Sequence, residues 1–209
     1  MAHVHKRQQA GLERPLSALD VIFTRRSIRA YEKKHLDQST IRSLIDAAVR
    51  APTGMDAEPW LFLVIQDRHT LRRYSDLAKT LSVADMEAHR ETHGPHDADR
   101  ERFLVQLRDP GFSVFYDAPA LIVICGRSKG PFVAADCWLA AENLMLAACA
   151  LGLGTCVIGT AAAALNSSDA REEFGLPRES FAVAPIVVGV PAGTAGEAPE
   201  RREPDIIWW

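Results

Sequence analysis

Positive charge is not in surplus in this chain of 209 residues: 24 Lys+Arg stand against 27 Asp+Glu, a formal net charge of −3. A protein that grips nucleic acid by neutralising phosphates needs a basic excess, so that class is excluded. Charged residues make up only 24% and hydrophobic ones 47%, which excludes an intrinsically disordered chain. Cysteine is scarce. Cys125, Cys137, Cys149 and Cys156 form no C-x-x-C pair and lie in apolar surroundings, so buried reduced thiols are expected. The opening MAHVHKRQQAGLERP holds no apolar stretch of the signal-peptide kind, and the expected compartment is the cytoplasm. No linker, repeat or low-complexity tract divides the chain. One domain over residues 1–209 is expected, with a core that removes roughly 70% of the unfolded surface from water.

Charge is missing altogether from Asn143 to Ser168. Such a length would in principle span a bilayer. The run, however, contains Gly152, Gly154 and Gly159, then four consecutive alanines, and only modest aliphatics. A membrane helix prefers more Leu, Ile and Phe. The run is therefore read as a buried helix, a glycine turn and a buried strand in series.

The remaining pattern is a layered α+β one. Residues 1–15 read as an arm. Ser17 can cap a helix through SALDVIFTRR, with Leu19, Ile22 and Phe23 on one face. After Ser39, the residues Ile41, Leu44, Ile45, Ala48 and Val49 follow helical spacing, and Pro52 ends the helix. WLFLVI, 60–65, reads as a strand, followed by a polar helix from about Asp67 to Lys79. Residues 82–110 carry many charges and few anchors and read as an exposed, lid-like excursion. Apolar strands are expected at 118–126, 155–159 and 181–191. A long buried helix is expected at 132–151, with Asp136 and Glu142 as its polar exceptions, and a capped helix at 167–177. The tail 192–209 ends in IIWW, and two terminal tryptophans are too costly to leave in water.

Three constellations carry chemistry. Arg25, Arg26, Ser27 and Arg29 put three guanidiniums and a hydroxyl within five residues. If the segment is extended, Arg25, Ser27 and Arg29 share a face suited to a phosphate and a second electron-rich group. The segment 51–60, APTGMDAEPW, is stiffened by two prolines, while Gly54 lets backbone approach a ligand closely. The third, 152–159, is GLGTCVIG. It follows a helix, whereas a dinucleotide-binding glycine loop follows a strand and opens a helix, so a Rossmann domain is rejected.

In this order, RRSIR (25–29), APTGMDAEPW with the strand LFLVI, ALGLGTCVIG (150–159), FGLP (174–177), VVGVP (187–191) and RREPDIIWW (201–209) resemble the FMN-dependent nitroreductase family. The resemblance runs from about Asp20 to Trp208. It implies a mainly antiparallel sheet flanked by helices, and a homodimer with FMN at the subunit interface. It also implies a C-terminal extension that wraps the partner. By matching position, Arg25, Arg26, Ser27 and Arg29 would hold the phosphate, ribityl chain and pyrimidine end of FMN. Arg201 would complete the phosphate site. Pro52, Thr53 and Gly54 would come from the other subunit, and Val157, Ile158 and Gly159 would line the isoalloxazine. Asp56 and Glu58 stand where many members have Asn and Gln, and ionised carboxylates cannot donate as amides do.

The implied activity is ping-pong transfer from NAD(P)H to a nitroaromatic, quinone or activated alkene, with the flavin carrying the chemistry. The excursion at 82–110 is expected to select the acceptor. Two alternatives are a flavin-dependent dehalogenase of the deiodinase-like subgroup and a non-catalytic FMN carrier or sensor. A metal reading of Asp85, His89, His93 and His96 is weaker, because Gly94-Pro95 breaks the helix before His96. No metal is expected.

Overall fold

The computed structural model describes residues 16–89, 98–194, 196 and 201–209. The expected arm at 1–15, and His93 and His96, lie outside the described residues.

Four antiparallel strands form the sheet. They are β1 (Trp60–Ile65), β2 (Ala120–Gly126), β3 (Gly154–Val157) and β4 (Phe181–Gly189), in the order β1-β2-β4-β3. Trp60 pairs with Gly126, Ala120 with Val188, and Gly154 with Gly189. β2 is buried along its whole length, as an apolar run with no polar alternation must be. Its alternate residues feed two cores. Ile122 and Ile124 face α2 (Gln38–Ala48) and α5 (Val133–Ala150), meeting Leu44, Ala140 and Leu144. Leu121 and Val123 face α3 (Arg68–Ala88), α4 (Ala98–Arg108), α6 (Ala162–Leu165) and α7 (Ser168–Glu173), meeting Tyr74, Leu107 and Leu165. Each fully buried Leu or Ile contributes about 1.5–3 kcal/mol relative to exposure.

The uncharged run 143–168 resolves into the end of α5, a turn with Gly152 at φ 72, β3, a 3-10 turn (Gly159–Ala161) and α6. α5 is long and apolar enough to cross a membrane by length and composition alone. It lies instead between α2 and the sheet, with Cys137, Ala140, Ala141 and Leu144 completely covered.

Some elements differ from expectation. The first helix, α1 (Ala18–Thr24), is capped by Ser17 and Asp20 in a capping box and stops before Arg25. Its apolar face points outward, with Phe23 74% exposed and only Val21 buried. The polar helix continues nine residues beyond Lys79, because Val83 and Met86 extend its inward stripe. The excursion at 82–110 is also not wholly outside the core: Leu107 is buried and Phe103 packs beside it.

Among the described residues, three carboxylates lie below their ordinary range. Asp37 accepts from the Thr40 amide at the start of α2, and Asp67 from the Thr70 hydroxyl and amide at the start of α3. Glu173 is held down by Arg73 and then by the Tyr74 hydroxyl. A depressed carboxylate stabilises the fold above its unfolded pKa, and that contribution is lost as pH falls through the folded value. The melting temperature is thus expected to hold from pH 7 to about 5 and to fall below about 4. Thermal melts at stepped pH check this, and a flat profile down to pH 3 contradicts it.

Candidate functional site

The chain leaves α1 at Arg25 in an extended conformation. Ser27 bridges Thr155 of β3 in parallel, and the Ile28 amide donates to the Thr155 carbonyl at 2.8 Å. The segment thus lies along the free edge of the sheet. Gly154 permits this, since a Cβ there would stand 2.8 Å from Ile28 Cβ. Further on, Tyr31 bridges Pro191, and its buried hydroxyl donates back to the Ile28 carbonyl at 2.6 Å. Burial pushes that hydroxyl far above the ordinary tyrosine range, so it stays a donor.

The arginines go to different neighbours. Arg25 turns to α5, its Nε 3.4 Å from Glu142 Oε1. That Nε is buried and makes no hydrogen bond. Arg26 Nη1 donates to the Gly196 carbonyl at 2.8 Å. Arg29 enters a cavity of about 220 Å³, together with Val157, Ile158 and Gly159. Its guanidinium carbon lies 6.0 Å from the Tyr116 ring centroid. Cys156 also lines the cavity, and burial pushes its thiol up while Arg29 and Ser27 pull it down.

The far wall of the cavity is Phe103, Phe112, Val114 and Tyr116. Reasoning from sequence did not single these out. For Phe112, Val114 and Tyr116 the signal was the aromatic run in DPGFSVFYDAP between Pro110 and Pro119, whereas Phe103 sits in the charged excursion before it. Lys79 shapes this wall from behind: its buried ammonium donates to the carbonyls of Asp109 (3.1 Å) and Phe112 (2.9 Å). Tyr116 and Asp117 both adopt left-handed φ, 53 and 52, a strain that the surrounding packing has to sustain.

Pro52, Thr53 and Gly54 do not line this cavity. They precede β1, whereas Val157 ends β3 and Ile158 and Gly159 follow it, so the two groups sit at opposite edges of the sheet. Three strand spacings separate those edges, roughly 14 Å. Met55, Asp56 and Glu58 have φ of 57, 52 and 41, so this loop is also strained. Arg201 is exposed on the extended segment 201–209 and is not among the lining residues. Among the described residues, no group of three His, Cys, Asp or Glu side chains gathers as a metal site. His89 pairs with Asp85 at 3.2 Å.

A sequence model of the nitroreductase family matches residues 22–190. The chain belongs to the nitroreductase family. Among relatives of this nitroreductase-family chain, a Methanothermobacter thermautotrophicus protein named "Putative NADH dehydrogenase/NAD(P)H nitroreductase" is 29% identical over 196 residues, 92% of this chain and 86% of the relative. A nitroreductase with bound FMN from Bacteroides fragilis superposes with a TM-score of 0.72 at 23% identity, over 90% of this chain and 95% of that one. An iodotyrosine deiodinase bound to FMN and 3-iodo-L-tyrosine superposes with 0.73 at 21%, over 92% and 98%. At those identities the two structures establish the shared fold: mixed helices on an antiparallel sheet, as the sequence led us to expect.

Proposed function

We propose that this nitroreductase-family chain is an FMN-dependent oxidoreductase that takes electrons from NAD(P)H and passes them, in a ping-pong cycle, to a nitroaromatic, quinone or activated alkene. The observation that carries this reading is the convergence of Arg29 with Val157, Ile158 and Gly159 on one cavity. The residues suit FMN. A Cβ at Gly159 would meet nothing within 4 Å, so a ring face has room to approach that backbone. Gly159 opens a 3-10 turn, and its N–H is one of the amides such a turn leaves without an internal partner. The buried, unbonded Nε of Arg25 is the kind of donor that a phosphate satisfies.

When bound, FMN supplies hydride acceptance from the nicotinamide and delivery to the acceptor. The chain supplies position and field. Arg25, Arg26, Ser27 and Arg201 would hold the phosphate and ribityl chain. Arg29 presents a fixed positive charge in the cavity, where it would stabilise negative charge as it develops, at little cost of reorganisation. Phe103, Phe112 and Tyr116 add aromatic surface to the cavity, with the Phe112 and Tyr116 rings meeting edge to face, and such surface favours an aromatic acceptor. No protein nucleophile is required.

The working unit in this reading is a homodimer. The Pro52–Gly54 loop reaches the same flavin as Gly159 only from a second copy, given their opposite edges. α1 and α5 touch, and together expose Leu19, Ile22, Phe23, Trp138 and Leu139. Ile207, Trp208 and Trp209 extend from the tail almost fully exposed. Two copies would cover both apolar surfaces. Deleting residues 205–209 is expected to weaken the dimer at least about tenfold, since terminal tryptophans are strong anchors. Sedimentation across a dilution series measures this, and an unchanged dimer contradicts the wrapping tail. We place the protein in the cytoplasm, and its four free thiols support a reducing compartment.

Initial rates test the cycle. With NADH or NADPH varied against a nitrofuran or quinone, parallel double-reciprocal lines are expected. Intersecting lines contradict ping-pong transfer. An FMN-bound protein that no donor reduces is a carrier.

A further inference from the structure

The long helix α5 carries two acidic residues that a core helix does not need, and one of them is buried. Asp136 is 4% exposed, in the first turn of α5. Its Oδ1 accepts from the Gly54 amide at 3.1 Å, reaching across 82 residues of sequence. One turn earlier, the Phe132 ring lies against Gly54, where a Cβ would stand 3.0 Å from Phe132 Cδ2. These two contacts grip the loop at its tightest point. Immediately beyond, Met55, Asp56 and Glu58 adopt left-handed φ, a conformation that costs about 1–2 kcal/mol per non-glycine residue. Inside the loop, the Ala57 amide bonds the Gly54 carbonyl at 3.3 Å and the Glu58 amide meets the Thr53 hydroxyl at 3.4 Å, both long. A loop so strained and weakly tied needs an outside hold to keep one shape. A carboxylate in the first turn of a helix is itself held in place by the helix dipole.

We infer that Asp136 is a positioning residue that presets the Thr53–Glu58 loop for the flavin, with Phe132 as the second half of the clamp. This rests on the proposed flavin reading, in which that loop serves the partner subunit's site. Asp136 lies behind the loop and does not line the cavity. Its loss should therefore reduce FMN affinity and leave turnover at saturating FMN unchanged.

The test uses the full chain as Asp136→Ala, Asp136→Asn and Phe132→Ala, stripped of flavin and titrated with FMN. Amide exchange at 52–58 is followed in the flavin-free forms. Asp136→Ala is expected to speed exchange at Gly54 and weaken FMN binding by about tenfold, the order of cost of losing a hydrogen bond to a charged partner at a half-buried donor. The rate at saturating FMN should stay within about twofold of wild type, because catalysis and affinity separate when a residue touches no reacting atom. Asp136→Asn keeps an acceptor oxygen and should restore both affinity and protection. Phe132 is 54% exposed, so Phe132→Ala keeps the fold even if Asp136→Ala does not, and should bind FMN about fivefold more weakly. Wild-type exchange and affinity in both Asp136→Ala and Phe132→Ala overturn the inference. If Asp136→Ala fails to fold, wild-type affinity in Phe132→Ala overturns it. A wild-type protein that binds no FMN overturns the flavin reading itself, and the exchange arm still reports separately whether Asp136 holds the loop.

Discussion

Arg25→Ala is expected to weaken FMN binding about 10- to 100-fold while leaving the fold intact. Arg25 caps α1 through its backbone, whose amide donates to the Val21 carbonyl at 2.9 Å, and this bond survives the substitution. What is lost is a guanidinium whose side chain is only 23% exposed, near one carboxylate oxygen but with its Nε unbonded. A charge-assisted bond to phosphate is worth about 1.5–3 kcal/mol, which sets the expected range. Arg25→Lys should recover only part, since an ammonium lacks the planar fork that matches a phosphate. Titration of flavin-free protein with FMN measures both. Affinity within about twofold of wild type for Arg25→Ala would remove Arg25 from the site.

Gly154→Val is expected to cost both stability and flavin. A Cβ at this position would stand 2.8 Å from Ile28 Cβ and Cγ1, so the side chain cannot be accommodated by turning one flexible group. Either β3 or the 27–29 segment must move. Movement of the segment breaks the bond from the Ile28 amide to the Thr155 carbonyl and displaces Ser27 and Arg29 together. Overpacking of this kind costs about 1–3 kcal/mol, and the displaced arginine costs affinity in addition. Gly159→Ala is the contrast. Its Cβ meets no protein atom within 4 Å, so it should leave stability unchanged and act only on the ligand. Thermal melts with and without FMN separate the two. Equal melting temperatures for Gly154→Val and wild type contradict the account of the sheet edge.

The parts of this molecule that could be read from sequence are those whose cause is local. Trp60–Ile65 is an unbroken apolar run, and the structure gives a strand with those limits. The spacing of Ile41, Leu44 and Ala48 reports the buried face of α2. The constellation around Arg29 and Val157–Gly159 was visible as motifs, and the fold brings these four residues to one cavity. What was not readable depends on distant partners. Leu19, Ile22 and Phe23 have the spacing of a core face, yet they point outward, because periodicity marks an apolar face without saying what covers it. In DRERFLVQLR the apolar residues Phe103, Leu104, Val105 and Leu107 do not mark one face, and Val105 points out while Leu107 is buried, so the pattern does not say which of them is covered. Lys79 looks like a surface residue until the carbonyls of Asp109 and Phe112 are placed against it. Asp136 shows as a polar exception in an apolar helix, but its partner Gly54 belongs to another part of the chain.

The central claim is that the cavity holding Arg29 and Gly159 is a flavin site that NAD(P)H can reduce. The most direct measurement is the absorbance spectrum of purified protein, followed through anaerobic titration with NADH and then NADPH. The account predicts yellow protein with one FMN per chain, whose visible band is bleached by about one equivalent of at least one nicotinamide, as a two-electron transfer requires. Colourless protein that FMN neither binds nor stabilises would contradict it.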